Sequence, residues 1–229
     1  MSDKLLFYII KEYRQTANMA GKIWRIKLVS GELKVGDEIR LFGVKMADTK
    51  EFCDVDAVVK SMRIDVGLTS EDVEVATESD IITIDVKNCY QNGKKINKND
   101  ILSTKITLGS QVSVGCEYAS SISIRLDRCE EFVEKLAVSI EHSKKRGYEA
   151  SMLWFGNHVS IAVTDIEIVD DGFVATFRLN GAPLPIPQDE KLKEIIKYAV
   201  IKDRQLVKSF GRNKAGIHEW RYYNGVIQL

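Results

Sequence analysis

Apolar and polar residues alternate over residues 23–29, near the start of the chain. One side of this stretch is wholly apolar, and the other is mixed: Trp24, Ile26 and Leu28 against Ile23, Arg25, Lys27 and Val29. This period of two predicts a half-buried β-strand. The sequences Ser30-Gly31-Glu32 and Gly36-Asp37 predict turns, and another strand begins at Glu38. Short strands at such close spacing indicate a closed β-barrel, which leaves no sheet edge exposed.

The period changes to that of a helix after residue 127. A capping-box pattern over 127–130 and apolar residues at helical spacing predict a helix over 128–146, with Phe132, Val133, Leu136, Ala137 and Ile140 on its buried side. Strands are predicted over 151–155, 158–169 and 173–179, and a hairpin turn at Asp170-Asp171-Gly172. The pattern of the tail from Gln205 onward is ambiguous, although residues 220–226 include strand-like residues.

All three prolines of the chain fall within residues 182–187, which predicts an extended connector. A second helix is predicted from Asp189-Glu190, with a buried stripe of Leu192, Ile195, Ile196 and Ala199. We therefore expect two domains: a barrel over 1–109, and an α+β domain of unassigned family over 110–229.

Three blocks within residues 20–108 resemble a known family. The first has ten matching positions: Gly21, Ile23, Leu28, Gly31, Leu33, Lys34, Gly36, Asp37, Glu38 and Ile39. The second comprises residues 58–62 and 76–84, and the third residues 96–102. In these blocks the chain resembles the second-domain β-barrel of translational GTPases such as elongation factor Tu. It departs from the family pattern at Ile26, Lys27, Ser79 and Asn99. The resemblance implies a mainly β fold, with a translation-factor-type barrel followed by an α+β domain with two helices.

In that family the barrel contacts the acceptor end of charged tRNA, the ribosome, or both. By resemblance, six positions form a basic and aromatic surface that would meet RNA or a partner: Lys22, Trp24, Arg25, Lys27, Lys60 and Arg63. Arginine and tryptophan stack on bases, while lysine meets phosphate. In the alternative interpretation, Trp24 belongs to the barrel core and the lysines are ordinary solvated residues of strand faces.

The composition excludes a bulk attraction to polyanions. The chain has 33 basic and 33 acidic residues and a formal net charge of zero, so RNA binding would have to be local. Cys53, Cys89, Cys116 and Cys129 lie far apart, and their spacing fits neither a disulfide framework nor a zinc site. The sequence has no signal-peptide pattern and no apolar run of the ~20 residues that span a bilayer. We therefore expect a cytoplasmic protein with no membrane partner.

Three short motifs resemble nucleotide sites but lack essential parts. Residues 97–100 match the guanine-reading Asn-Lys-x-Asp, but they lie inside the third block with no phosphate loop upstream. Residues 31–36 and 211–216 have the glycine spacing of a phosphate loop, but the Lys-Ser/Thr that must follow is replaced in both. His142, His158 and His218 form no paired site. We expect no metal, no cofactor and no enzymatic activity.

The sequence therefore favours a non-catalytic binding protein, with tRNA, the ribosome or a translational GTPase as its partner. The alternative is a protein–protein adaptor without an RNA role, in which the barrel docks onto a GTPase subunit or another protein. A weaker alternative is an enzyme with a site between the domains, near the 183–187 connector. The oligomeric state does not follow from the sequence.

Overall fold

The computed structural model describes residues 4–14, 22–66, 69–102, 106–142, 149–210 and 215–229 of the 229-residue chain. Side chains are described at all of these positions except 14, 22, 142, 149, 204–210 and 215–218. The chain divides into two compact units. The first comprises Met1–Ala119 and Ala182–Glu194, and the second Ser120–Gly181 and Ile195–Leu229. The division after residue 109 that the sequence predicts therefore differs from this one.

The described residues form nineteen strands and two α-helices. The strands are β1 (Leu6–Arg14), β2 (Lys22–Ser30), β3 (Glu32–Lys34), β4 (Glu38–Met46), β5 (Phe52–Val66), β6 (Thr69–Val73), β7 (Val75–Thr77), β8 (Ile81–Gln91), β9 (Lys94–Lys95), β10 (Ile101–Leu102), β11 (Leu108–Gln111), β12 (Cys116–Ala119), β13 (Ser121–Asp127), β14 (Glu149–Trp154), β15 (Asn157–Val169), β16 (Gly172–Leu179), β17 (Leu184–Pro187), β18 (Tyr198–Phe210) and β19 (Ala215–Gln228). The helices are α1 (Glu130–His142) and α2 (Glu190–Ile196), and a single 3-10 turn spans Lys98–Asp100. The mainly β fold that the sequence predicts is confirmed.

The first unit contains a closed six-stranded antiparallel barrel. Its strands follow the order β4, β11, β1, β2, β8 and β5, and β5 pairs back with β4. Inward-facing apolar side chains at alternate positions fill it, among them the fully buried Phe7, Trp24 and Ile84. Phe7 lies opposite Gly109 of β11, where a Cβ atom would come within 2.7 Å of three atoms of the phenyl ring. Glycine at this position therefore makes room for a core aromatic residue.

Two turns of the same kind explain the Gly-Asp positions of the family pattern. In the first, the Lys34 amide donates to the Asp37 carboxylate at 2.8 Å, and Gly36 has a φ of 94°. In the second, the Thr77 amide donates to Asp80 at 2.7 Å, and Ser79 has a φ of 76°. Ser79 therefore occupies a left-handed position that glycine adopts at lower cost. The aspartate bond holds the turn despite the missing glycine.

The second unit is also a closed six-stranded barrel. Its strands follow the order β13, β16, β15, β14, β18 and β19, and β19 pairs back with β13. Helix α1 is inserted between β13 and β14, and Phe132 and Leu136 on its inner side are fully buried. The helix begins at Glu130 and is described as far as His142, whereas the sequence predicts 128–146. The predicted α+β domain is thus a barrel that carries one helix.

The proline-rich connector takes part in strand pairing, and the second predicted helix ends before Ala199. β17 pairs with β12 in a two-stranded sheet, so its prolines, which lack an amide donor, avoid a sheet centre. α2 begins as predicted, and the Asp189 carboxylate caps it by accepting from the Leu192 amide at 3.2 Å. The prediction that Ala199 belongs to this helix is wrong, because Ala199 lies in β18 opposite Gly225.

Candidate nucleic-acid interface

The two arginines that the sequence places at an RNA surface lie in one row across the first barrel. Arg25 of β2 and Arg63 of β5 both face Thr83 of β8, which lies between them. Arg25 forms an ion pair with Asp65 at 3.1 Å, and Arg63 forms one with Asp72 at 2.8 Å. The structure therefore brings the arginines together, but each guanidinium already has a carboxylate partner.

The other predicted positions on β2 differ in their exposure. Trp24 is fully buried in the barrel core, so its ring offers no face to a base, because the alternation along β2 directs it inward. Lys27 is partly buried on the opposite side of the strand and lies across from Ile81. The side chain of Lys22 lies outside the described residues.

Lys60 lies at an irregularity of the β5–β8 pairing. Val59 faces Val86 while Ser61 faces Asp85, so Lys60 is the extra residue of a β-bulge. A second register shift leaves an extra residue in β8, where Asn88 has a φ of 51°. Because bulges redirect side chains, Lys60 and Asn88 do not follow the regular alternation of the neighbouring strand residues.

A pocket of about 340 Å³ lies beside these bulges. The turn at Asn92-Gly93 folds the chain back, so that Lys95 pairs with Tyr90 of β8. The pocket is lined by Lys60, Val86, Lys87, Asn88, Cys89, Lys95, Ile96, Asn97 and Lys98, and we call it the lysine pocket.

The lysine pocket carries an excess of positive charge. Asp85 binds the Lys98 ammonium at 2.6 Å and the Lys60 ammonium at 3.3 Å. Within the described residues, Lys87 and Lys95 have no ion-pair partner. Of the four lysines that line the pocket, two therefore bind one carboxylate, and the other two have no carboxylate partner among the described residues. Such a site attracts an anion that can replace the missing carboxylates, and phosphate is the common biological one.

The residues that mimic a guanine-reading motif form a wall of the lysine pocket. The side-chain carbonyl oxygen of Asn97 accepts a hydrogen bond from the backbone amide of Asn99 at 3.0 Å, and this bond fixes the 3-10 turn. Lys98 is held by Asp85 and by the Val86 carbonyl at 3.4 Å. Both side chains therefore make internal bonds that stabilise the pocket wall.

Cys89 is the nucleophilic side chain of the pocket lining. Its side chain is buried, and burial raises the pKa of the thiol to about 11, against a smaller opposing effect of Lys98. The thiolate, rather than the thiol, is the reactive form. At neutral pH the pocket therefore offers a positive surface rather than an activated nucleophile.

A second polar cluster of the first unit ties three strands together. The Tyr118 hydroxyl of β12 accepts from the Gly43 amide at 2.9 Å and donates to Asp54 of β5. Arg40 binds Asp56 with two hydrogen bonds, of 2.6 and 3.0 Å. Burial raises the pKa of Asp54 and that of Tyr118. These groups satisfy one another, so the cluster stabilises the bulged region of β4.

The described residues contain no group of three or more His, Cys, Asp and Glu side chains arranged to hold a metal ion. His158 is exposed on β15, and the side chains of His142 and His218 lie outside the described ones. The glycine-rich 211–216 segment lies largely outside the described residues as well. The α-helices have 13 and 7 residues, fewer than the ~20 that a membrane-spanning helix requires.

The sequence analysis named Lys60 but not Lys87 or Lys95, and it treated Lys98 only as part of an incomplete nucleotide motif. One usable signal was the sequence Gln91-Asn92-Gly93-Lys94-Lys95, since Asn-Gly is a strong hairpin signal. A hairpin at that point brings Lys95 back beside β8. The bulges at Lys60 and Asn88 have no comparable local signal.

Comparisons with known proteins reach only the level of the fold. No family model and no curated protein matches the sequence. Two solved structures of the S. cerevisiae Ski7 GTPase-like domain are similar to this chain, one bound to GDP and inorganic phosphate and the other bound to GTP. Their TM-scores are 0.61 and 0.62, at 12% sequence identity. Each match covers 98% of this chain and 45% of the other chain. This likeness shows that the chain has a β-rich fold of translation-factor type.

Proposed function

We propose that this chain is a non-catalytic RNA-binding module whose lysine pocket holds a backbone phosphate of tRNA or ribosomal RNA. The observation that carries the proposal is the pocket lining, which has four lysines and no acidic side chain, while the nearby Asp85 binds only two of these lysines. The three sequence blocks and the closed first barrel support a closer relation to the second-domain barrel of elongation factor Tu. That barrel type contacts RNA, and the pocket gives this chain a local means of doing so.

The pocket supplies cations for a phosphate. Lys87 and Lys95 are available to an anion, whereas Lys60 and Lys98 are partly neutralised by Asp85. Lysine binds phosphate as a point charge and releases counterions from the nucleic acid. Contacts of this kind position a protein on RNA but do not read its sequence. We therefore expect the pocket to recognise the position of the RNA phosphate backbone and not the base sequence.

The test is a pair of double variants with the same change in net charge. Lys87→Ala/Lys95→Ala removes the two unpaired lysines, and Lys94→Ala/Lys191→Ala removes two exposed lysines outside the pocket. Affinity for total tRNA and for ribosomes is measured by fluorescence anisotropy or by sedimentation over a series of salt concentrations. We expect the pocket variant to bind more weakly and to have a shallower salt dependence, by roughly 1 in the log–log slope for each lysine.

The control variant should retain most of the affinity, because its lysines do not share a site. Equal losses in both variants would show that only net charge matters and would remove the pocket from the proposal. Binding that is unchanged in the pocket variant would have the same consequence. A comparison of far-UV circular dichroism spectra confirms that both variants are folded.

A protein–protein adaptor remains the second candidate function. The observation that favours it is the partial match to a GTPase-like domain, of which this chain covers 45%. A separate GTPase bound to the first barrel would supply the nucleotide-binding part of such an arrangement. Affinity purification with and without nuclease separates the two functions. A stoichiometric protein that persists after nuclease treatment supports the adaptor, whereas RNA that is lost supports the module proposed above.

A further inference from the structure

Strands β18 and β19 of the second unit form a long two-stranded ribbon with two different faces. They pair from Tyr198 opposite Val226 to Phe210 opposite Ala215, so residues directly opposite each other share a face. Helix α1 covers one of these faces. Its Phe132 ring stacks on Tyr223 at a centroid distance of 3.8 Å, and its Lys135 binds the buried Asp203 at 2.5 Å.

The opposite face of the ribbon carries large aromatic side chains in contact with solvent. Tyr198, Trp220 and Tyr222 are 64%, 50% and 56% exposed. The Lys202 ammonium lies 4.1 Å from the Trp220 ring centroid and 5.9 Å from that of Tyr222. We call the set of Tyr198, Lys202, Trp220 and Tyr222 the ribbon face. Three exposed aromatic rings on one strand pair form an apolar patch, and exposed apolar patches mark interaction sites.

The charges of the ribbon identify the chemistry of that ligand. The described side chains on this side of the ribbon include Lys202 but no carboxylate. The acidic residues of the same strands, Asp203 and Glu219, occupy the alternate positions that belong to the other face. A surface of aromatic rings and a lysine complements a chain of bases and phosphates. Protein interfaces are also rich in tyrosine and tryptophan, but they are depleted in lysine.

The spacing of the rings suits unpaired bases. Trp220 and Tyr222 are two residues apart on β19, which corresponds to about 7 Å along a strand. That separation leaves each ring exposed, so each can stack on one base. Lys202 lies beside both rings, within reach of the phosphate of the same nucleotide.

We propose that the ribbon face binds unpaired bases of a single-stranded RNA segment by stacking on Trp220 and Tyr222, with Lys202 on the adjacent phosphate. This inference rests on the proposed RNA-binding function and adds a second contact, which selects single-stranded over double-stranded RNA. Bases in a duplex are already stacked on one another and cannot reach the rings.

The probe is a single-stranded RNA of about 12 nucleotides, compared with a duplex of the same length. Trp220→Ala/Tyr222→Ala should lower the affinity for the single strand by about tenfold or more and leave the duplex affinity unchanged. The salt dependence should stay the same, because no cation is removed. Trp220→Phe/Tyr222→Phe should retain most of the affinity, since the rings persist. Ile168→Ala, which removes an exposed apolar residue from the same barrel, should have no effect.

Tryptophan fluorescence reports the contact directly. Trp220 is the exposed tryptophan, because Trp24 and Trp154 are buried. Stacking on a base should quench its emission on addition of the single strand, and Trp220→Phe should abolish that change. Quenching that persists in this variant would overturn the assignment.

The outcomes separate this inference from the proposed function. If Lys87→Ala/Lys95→Ala weakens RNA binding but Trp220→Ala/Tyr222→Ala does not, the ribbon face is refuted and the lysine pocket stands. If the unaltered chain binds neither RNA, both proposals fail. The inference would also be overturned if Trp220→Ala/Tyr222→Ala kept its RNA binding but lost binding to phosphatidylglycerol vesicles or to a protein partner.

Discussion

Trp24 and Trp154 differ in one contact, which makes them a matched pair for a test of core energetics. Both side chains are buried, at 0% and 1% exposure, and each belongs to a different barrel. The Trp154 indole nitrogen donates to the Ile196 carbonyl at 2.9 Å, and this bond is buried. The Trp24 indole nitrogen has no acceptor among the described residues. Replacement of each tryptophan by phenylalanine removes the same atoms from both sites.

The expected costs follow from these contacts. Loss of the indole volume should cost about 1–2 kcal/mol at either position, through transfer and cavity effects. At Trp154 the change also leaves the Ile196 carbonyl without its donor, which adds about 1–3 kcal/mol. At Trp24 the change removes a buried donor without an acceptor, which offsets part of the cavity cost. We expect Trp154→Phe to cost about 2 kcal/mol more than Trp24→Phe, or roughly a 30-fold difference in the local opening constant.

Native-state hydrogen–deuterium exchange is the suitable assay, because a chain with two units need not unfold in one step. Protection in the β2 and β8 peptides reports Trp24→Phe, and protection in the β14 and β18 peptides reports Trp154→Phe. A cost at Trp24 that equals or exceeds the cost at Trp154 would refute the reasoning. RNA affinity provides a second readout, since a core residue should leave it unchanged. A specific loss of RNA binding in a folded Trp24→Phe variant would instead restore the contact expected from the sequence.

Three further measurements test the packing and the titration of individual groups. Gly109→Ala should destabilise the first unit by about 1–3 kcal/mol through overpacking against Phe7, and a Phe7→Leu background should reduce that cost; equal costs in urea denaturation would contradict this. Lys135→Met should cost about 3 kcal/mol because it leaves the buried Asp203 without its ammonium, and the added change Asp203→Leu should recover most of the loss in a double-mutant cycle. In a chain whose other cysteines are replaced by serine, alkylation of Cys89 should rise with a midpoint near pH 11, as its raised pKa requires. Because burial favours the protonated Cys89 thiol, its contribution to stability is fully present below the pKa of the unfolded chain and is lost as the pH rises through the pKa of the folded state. An alkylation midpoint near ~8.5 would contradict the burial of Cys89.

Short-range patterns predicted the elements whose pairing is also short-range. The alternation over 23–29 and the turn at Gly31 correspond to β2 and β3, and the same alternation accounts for the burial of Trp24. The hairpin at Asp170-Asp171 joins β15 and β16 as the sequence predicts. In each case the residues that form the contact lie within a few positions of one another, so the pattern contains the necessary information.

The closure of the second barrel had no such signal. It depends on the pairing of β13 with β19, in which Arg125 faces Val226 across about half of the chain. A different pairing, that of β18 with β19, determines the structure at Ala199, whose spacing from Leu192 and Ile196 fits a helix equally well. Sheet contacts with β19 override that local preference, because Ala199 faces Gly225 in the finished barrel. The helical stripe is therefore correct at Leu192 and Ile196, which are buried in α2, and wrong at Ala199.

Net charge is the least informative property of this chain for locating a local excess of charge. Screening limits the interaction of exposed charges to about 8–10 Å at physiological salt, so a phosphate responds only to its immediate neighbours. At the lysine pocket those neighbours are four lysines and Asp85, whereas at Arg25 and Arg63 each cation already has a carboxylate within 3.1 Å. The arginine row resembles a nucleic-acid surface in the sequence, yet its local charge is balanced. A neutral chain can therefore bind a polyanion where the fold gathers cations and keeps the balancing acids elsewhere. The pocket meets this condition because a hairpin and two bulges bring together residues from three strands.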